Sequence, residues 1–256
     1  MTDNENQKNS MKTFGLLGKN ISYSFSSGYF SEKFKELKLE NHSYVNFDID
    51  TIGEFPKLLK EYSTKVNGMN VTIPYKQEIL NLVDELDEEA AVIGAVNTIK
   101  FLESGKTKGF NTDVYGFENS LKPLLKPHHT KALIFGTGGA SKAVAFALKK
   151  MKIDFCFVSR KPNLSNQIAY SALNSRIISE HKVLINCTPL GTFPEVNLYP
   201  DIPYKELTST HLLYDLIYNP SVTAFLQKGK DKGAEIKNGL EMLQLQAEKS
   251  WQIWNR

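Results

Sequence analysis

The stretch Lys131–Met151, KALIFGTGGASKAVAFALKKM, joins a short apolar run, Ala132 to Phe135, to a glycine-rich turn at Gly136, Gly138 and Gly139. Beyond the turn, apolar residues fall at helical spacing: Ala140, Ala143, Val144, Ala147, Leu148 and Met151. The pattern predicts strand, tight turn and helix. Glycines there let the backbone approach a ligand closely, and the unbonded N–H groups and positive dipole end of the helix favour a pyrophosphate. Ser141 stands where a GxGxxG motif has its third glycine, so the turn alone also fits a strand–helix connection that binds nothing.

The segment that follows sharpens the reading. Ile153 to Ser159 is a second strand, and in dinucleotide-binding units the tip of that strand meets the adenosine ribose, where selection of NAD calls for Asp or Glu. Here Ser159, Arg160 and Lys161 occupy the tip. Arg offers a planar fork and Lys a point charge, which suit a 2′-phosphate. At the expected distance from the glycine turn, they point to NADP rather than to a plain basic turn. Further strands are expected at Val183–Cys187, Leu212–Leu216 and Glu235–Lys237, with a helix over Asn163–Asn174. Gly239 opens a turn into a long helix with Leu240, Met242, Leu243, Leu245, Trp251 and Trp254 on a mostly apolar stripe, Gln246 being the polar exception. Such a stripe normally docks, here back across to the first domain.

Toward the N-terminus, Pro123, Pro127, His128, His129 and Thr130 form the clearest linker, and the domain change is expected near residues 111 to 130. Before it, Lys12–Gly18 reads as a strand. A polar loop, Lys19-Asn20-Ile21-Ser22-Tyr23-Ser24-Phe25-Ser26-Ser27, then leads into a helix patterned by Tyr29, Phe30, Phe34 and Leu37. From spacing alone Ser26 or Ser27 is its N-cap. His42–Ile49 is a strand, Ile52–Tyr62 a helix, and Val66–Ile73 a strand broken at Gly68. Strand alternating with helix implies a parallel, layered α/β domain. Pro74 is expected to open a helix with the apolar face Ile79, Leu82, Val83 and Leu86, placing Lys76 in its first turn. There the helix dipole disfavours a cation, which makes Lys76 a candidate proton donor beside the reading as a solvated surface lysine. Two strands, Ala95–Phe101 and Lys106–Phe110, joined by the turn Glu103-Ser104-Gly105, precede Asn111-Thr112-Asp113, where Thr112 or Asp113 would cap the helix carrying Val114, Phe117, Leu121 and Leu124.

The 256 residues suffice for two domains, and 41% hydrophobic with 23% charged residues describes an ordinary globular protein. A net charge of +3 without a basic run gives no reason to expect nucleic acid. No apolar run approaches the roughly 18 residues of a membrane span. The start, MTDNENQKNS, reads as a frayed polar tail rather than a leader. Cys156 and Cys187 lie in apolar runs as reduced thiols, no metal site is suggested by histidine spacing, and the cytoplasm is the expected compartment.

Together these segments resemble the shikimate dehydrogenase family from Phe14 to Trp254. The matching pieces are Ser24-Phe25-Ser26, Asn70-Val71-Thr72-Ile73-Pro74-Tyr75-Lys76, Gly94-Ala95-Val96-Asn97-Thr98, Asn111-Thr112-Asp113, Gly136-Thr137-Gly138-Gly139-Ala140-Ser141, Asn186-Cys187-Thr188-Pro189 and Gly239-Leu240 through Gln246. The resemblance implies reversible NADPH-dependent reduction of 3-dehydroshikimate to shikimate in aromatic amino-acid biosynthesis. It implies a substrate-binding α/β domain over 11–111, completed by a C-terminal helix at 239–256, and a Rossmann-like NADP-binding domain over 112–238. Lys76 and Asp113 would be the catalytic pair. Ser24 and Ser26 would hold the substrate carboxylate, with Asn70, Thr72, Asn97, Tyr218 and Gln246 completing the substrate set. Gly136, Thr137, Gly138, Gly139, Ala140, Ser159, Arg160, Lys161, Thr188 and Gly239 would bind NADP. A monomer or homodimer is expected. Where the family often has Asn-Arg-Thr at the second strand tip, this chain has Ser159-Arg160-Lys161, and Tyr23 and Phe25 also differ from other members. The alternatives are a quinate/shikimate dehydrogenase of broader substrate or NAD use, and a non-catalytic NADP-binding protein. Loss of the Lys or Asp would mark the latter, and both are present.

Overall fold

The computed structural model describes residues 11–22, 24–62 and 65–256; the polar start and Tyr23 lie outside them. The described residues divide into two compact units, one of residues up to 112 together with 247–256, the other of residues 113–246. The change from one to the next thus falls between Thr112 and Asp113, and the return to the first falls inside the last helix, at Ala247 rather than at Gly239.

In the first unit β1 (Lys12–Gly18) lies between β2 (His42–Asp48) and β3 (Val66–Val71), all parallel. β3 then pairs antiparallel with β5 (Thr98–Phe101), which pairs antiparallel with β6 (Thr107–Phe110). The short β4 (Glu85–Leu86) closes the far edge, giving the order β2-β1-β3-β5-β6-β4. The sheet is therefore mixed rather than all parallel. The reason is local: β5 and β6 are joined by the tight turn around Gly105, whose φ of +80° only glycine adopts readily, and a short turn can only return the chain antiparallel.

Both faces of β1 are covered, as its run of buried residues requires. Leu17 joins a core with Phe47, Phe55, Met69, Val71, Ile79, Val96 and Ile99. Phe14 and Leu16 join another with Phe30 and Phe34 of α1 (Phe25–Glu36), Tyr44, and Ala247, Ile253 and Trp254 of the last helix. The Trp254 indole donates to the Ile99 carbonyl (3.0 Å) and lies so close over Gly68 that any Cβ there would strike it. Gly68 therefore does not break β3. It makes room for the indole, and β3 runs through it with a register shift opposite Thr13 and Phe14.

Two expected helices take other forms. Ile52–Tyr62 is a short 3₁₀ turn, Ile52–Glu54, followed by α2 (Phe55–Tyr62). Residues 74–86 form no α-helix: a turn leads to the 3₁₀ segment Glu78–Asn81 and then to β4. The carbonyl of Lys76, which in a helix would accept from residue 80, accepts instead from Val96 N–H (2.7 Å). α3 (Glu88–Ile93) follows, capped by Asp87.

The second unit begins with α4 (Asp113–Leu121) and holds a sheet of order β12-β11-β10-β7-β8-β9, every pair parallel. Its strands are β7 (Lys131–Phe135), β8 (Asp154–Ser159), β9 (Gln167–Ala169), β10 (Val183–Asn186), β11 (Leu212–Asp215) and β12 (Glu235–Lys237). Counted from the glycine-rich turn this is the order 3-2-1-4-5-6 of a doubly wound dinucleotide-binding sheet, with its switch point between β7 and β10. Helices α5 (Gly139–Lys150), α6 (Ser175–Glu180) and α7 (Ala224–Lys230) connect the strands, and α8 (Leu240–Trp254) ends the chain. The helix expected over Asn163–Asn174 is absent. Phe157 N–H bonds to Asn166 O and draws that segment into β9 at the sheet edge, while Asn174 caps α6 instead.

Candidate functional site

In the second unit Gly136 ends the strand β7 with φ +98°, and a Cβ there would meet Cys187 O and the Thr188 methyl, each at 3.2 Å. The turn after β7 thus closes against the loop after β10, at the switch point where such sheets bind ligands. Gly138 is the N-cap of α5 with an ordinary φ of −77°, and a Cβ there would meet nothing within 4 Å. The fold itself does not call for glycine at that position. Thr137 and Gly138 are exposed, and Gly139 and Ala140 half-buried, at the start of a helix with no acidic residue in its first turn. Ser141 replaces the third glycine without cost: it is buried, and its hydroxyl donates to Gly138 O (2.7 Å) within the same turn.

At the tip of β8, Lys161 N–H donates to the Ser159 hydroxyl (3.2 Å), while Arg160 and Lys161 are exposed and form no ion pair among the described residues. The Arg160 charge is felt by Tyr170, whose phenol burial pushes up to about 12 against that charge. Thr188 is held by Asn186, whose carboxamide oxygen accepts from its N–H (3.0 Å) and hydroxyl (2.7 Å). Gly239 is buried hard against the Leu216 carbonyl, where no Cβ fits, and its N–H donates to Ile217 O (3.0 Å), next to half-buried Tyr218. Gln246 is buried on α8 and donates to Leu243 O (2.9 Å). Gly116 lets α4, which begins with buried Asp113, run against the Met242 carbonyl and the Gln246 backbone.

In the first unit the N-cap of α1 is Ser24, which accepts from Ser26 N–H (3.1 Å); neither Ser26 nor Ser27 is the cap. Ser26 is buried and bonds to the Tyr44 phenol, whose pKa burial raises far above its usual range. Tyr44 in turn donates to Asn70 Oδ1 (2.9 Å). The Asn70 amide donates to Ser250 Oγ (2.9 Å), and Ser250 lies 2.8 Å from Thr98 Oγ1 and 3.1 Å from Thr112 Oγ1. Asn97 closes the chain of bonds: its Oδ1 accepts from Thr112 N–H (2.7 Å) and its Nδ2 donates to Thr112 Oγ1 (3.0 Å). One buried polar network therefore runs from Ser26 to Asn97. Lys76, half-buried, is anchored to the same place through its carbonyl bond to Val96. Thr72 is half-buried, and its hydroxyl has no hydrogen-bond partner among the described residues.

In the first unit the hydrogen-bonded network joins Ser26, Asn70 and Asn97, and in the second Gly136 meets Thr188. The sequence reading gave no role to Tyr44, Ser250, Asn186 or Asp215. Asn186 lay inside the matching motif Asn186-Cys187-Thr188-Pro189, and for it and Asp215 a polar residue ending an apolar strand was the signal available.

Residues 16–99 match the family model described as the shikimate dehydrogenase substrate binding domain. The chain is 37% identical to the shikimate dehydrogenase (NADP(+)) of Methanococcus maripaludis, covering 95% of this chain and 91% of the relative. The chain belongs to the shikimate dehydrogenase family. It is 38% identical to the Clostridium beijerinckii enzyme of the same name, over 95% of this chain and 92% of that one. The solved structure of the Thermus thermophilus shikimate 5-dehydrogenase in complex with NADP(H) and shikimate superposes with a TM-score of 0.84 at 32% identity, covering 95% of this chain and 93% of that one.

Proposed function

We propose that this shikimate dehydrogenase reversibly reduces 3-dehydroshikimate to shikimate with NADPH, on the route to aromatic amino acids. The observation that carries the reading is the glycine turn closing on Thr188 at the switch point of an all-parallel sheet, in a chain 37% identical to a relative named shikimate dehydrogenase (NADP(+)). A dinucleotide fits that cradle: left-handed Gly136, open space at Gly138 and the bare first turn of α5 suit a diphosphate, and Arg160 suits a 2′-phosphate. In this reading residues 113–246 hold NADP through Gly136, Thr137, Gly138, Gly139, Ala140, Ser159, Arg160, Lys161, Thr188 and Gly239. Residues 11–111 with the end of α8 hold the substrate.

When bound, NADPH supplies the hydride. Reducing a ketone leaves negative charge on its oxygen, so a donor within hydrogen-bond reach must deliver a proton there, and Lys76 has that role. Asp113 accepts from a substrate hydroxyl and orients it. Ser24 and Ser26 hold the substrate carboxylate at the N-terminus of α1, whose first turn carries no acidic residue and whose dipole favours an anion. Asn70, Thr72, Asn97, Tyr218 and Gln246 complete the substrate contacts. The free thiols of Cys156 and Cys187 suit a reducing compartment, and we place the enzyme in the cytoplasm. Purified protein given shikimate and NADP is expected to produce NADPH absorbance, with far less from NAD; no NADH or NADPH from either mixture overturns the assignment.

A further inference from the structure

Asp215 is the last residue of β11, with none of its surface exposed, and the mechanism above gives it no part. Its carboxylate accepts three hydrogen bonds: from Asn186 Nδ2 (3.1 Å), from Ile217 N–H (3.0 Å) and from the Thr223 hydroxyl (2.6 Å). Asn186 is its register partner on β10 and is equally buried. Because Asp215 takes the amide hydrogen, the carboxamide has one orientation, with its oxygen toward the N–H and hydroxyl of Thr188 and its second hydrogen on Leu190 O (3.3 Å). The bond from Ile217 N–H shapes the turn that carries Tyr218, and Ile217 O accepts from Gly239. Thr223, held from behind, caps α7 by accepting from Leu226 N–H (3.3 Å).

We propose that Asp215 is a positioning residue for cofactor binding: one buried carboxylate orients Asn186 and the 217–223 loop, and so sets Thr188 and Gly239 in place. The proposal rests on the NADP-binding reading of these loops. Every partner of Asp215 can donate, and a carboxylate is the side chain that only accepts, so the charged form matches its surroundings. Its burial is nevertheless unfavourable to that charge and pushes the pKa up to about 6, in spite of the three bonds. Cys187 beside it and Tyr204 across the core are the titratable groups that feel its field, both raised chiefly by their own burial. No cation pairs with it among the described residues. A charge kept at such a cost, with its three bonds leading to the loops after β10 and β11, points to a role in those loops.

The test is NADPH fluorescence titration of the full chain as wild type, Asp215→Asn and Thr223→Val between pH 5 and 8, with KM for shikimate and thermal melts alongside. Asp215→Asn keeps the shape and removes the charge. At pH 8 it is expected to weaken NADPH by about 10-fold, the scale of one charge-assisted bond, with KM for shikimate within about twofold. Wild-type affinity is expected to fall as pH drops through about 6 by more than that of Asp215→Asn, whose remaining slope belongs to the 2′-phosphate itself. Asp215→Asn that binds NADPH as wild type does, or loses NADPH and shikimate alike, overturns the proposal. If Asp215→Asn does not fold, Thr223→Val decides, since it leaves the carboxylate with one donor fewer and must show the same selective loss. Wild type that binds no NADPH defeats the functional reading on which the proposal stands; tight wild-type binding with an indifferent Asp215→Asn overturns the proposal alone.

Discussion

No α-helix dipole bears on Lys76, since its segment forms no α-helix, which leaves the matching motif Asn70-Val71-Thr72-Ile73-Pro74-Tyr75-Lys76 as the ground for its proposed role. Its carbonyl is fixed by Val96 N–H one residue from Asn97, so its Cα is set by the sheet rather than by a helical turn. A residue held in that way loses little fold when its side chain is cut. Lys76→Ala is therefore expected to lower kcat by roughly 10²-fold or more, the scale of a positioned acid–base group, with KM and melting temperature nearly unchanged. A variant with normal kcat removes Lys76 from the chemistry. Arg160 is the opposite case: it is exposed at the strand tip where the sequence put it, and the role proposed for it is one of charge. No carboxylate lies between Phe155 and Ser165 to accept from a ribose hydroxyl. Arg160→Ala is expected to weaken NADP by about 10- to 100-fold, to leave NAD almost untouched, and to flatten the salt dependence of NADP binding. Equal loss of both cofactors in KM measurements would move selectivity to another residue. Asp215 and Asn186 escaped the sequence reading because they meet across 29 positions, and nothing in a local pattern announces a register partner.

Among the elements, those set by local pattern were readable and those set by distant partners were not. Strand β1, the β7–α5 unit and α8 follow from apolar period, turn glycines and length. Residues 74–86 carry a helical period but give the Lys76 carbonyl to Val96, and 163–174 give Asn166 to the β8 edge; both are tertiary overrides of local preference. Helix α1 shows how one element serves two ends. Ser24 caps it and Ser26 ties its first turn to Tyr44, so both serines stabilise the helix whether or not they touch a ligand. Replacing both by Ala should cost about 1 kcal/mol of stability through the lost cap, seen as a lower melting temperature. Carboxylate binding adds a second effect: KM for shikimate should rise strongly while KM for NADP stays, since the hydroxyls bind substrate and transition state alike. A melting temperature that falls without a change in KM leaves the serines a purely structural task.

Across the whole molecule, the doubly wound sheet was legible from the glycine turn and the strand–helix alternation, and the antiparallel β5–β6 pair from the turn at Gly105, whereas the antiparallel join of β5 to β3 was not, because no local pattern marks it. Acid stability is a property of the whole chain that no motif displays. His129 and His211 share one device: Nδ1 accepts from the N–H three residues earlier, of Lys126 (3.1 Å) and Thr208 (3.0 Å). Nε2 then donates to a carbonyl, of Thr210 (3.2 Å) and Ile178 (3.0 Å). Both rings are buried, and only the neutral tautomer satisfies both nitrogens. Burial lowers the pKa of each below 6.5, and it lowers His42 as well. The unfolded chain, titrating near 6.5, then binds more protons than the fold in that window, so their contribution is present above pH 6.5 and is lost as pH falls through the lowered values. Asp215 acts in the other direction, since burial raises its pKa from 3.8 to about 6 and the fold then binds its proton before the unfolded chain does. Melting temperature is therefore expected to fall between pH 7 and 5. The fall should be shallower in His129→Asn with His211→Asn, which keep an acceptor near Nδ1 but cannot titrate, and steeper in Asp215→Asn, which removes the opposing group. Parallel melting curves against pH for all three proteins would show that the buried imidazoles do not govern acid unfolding.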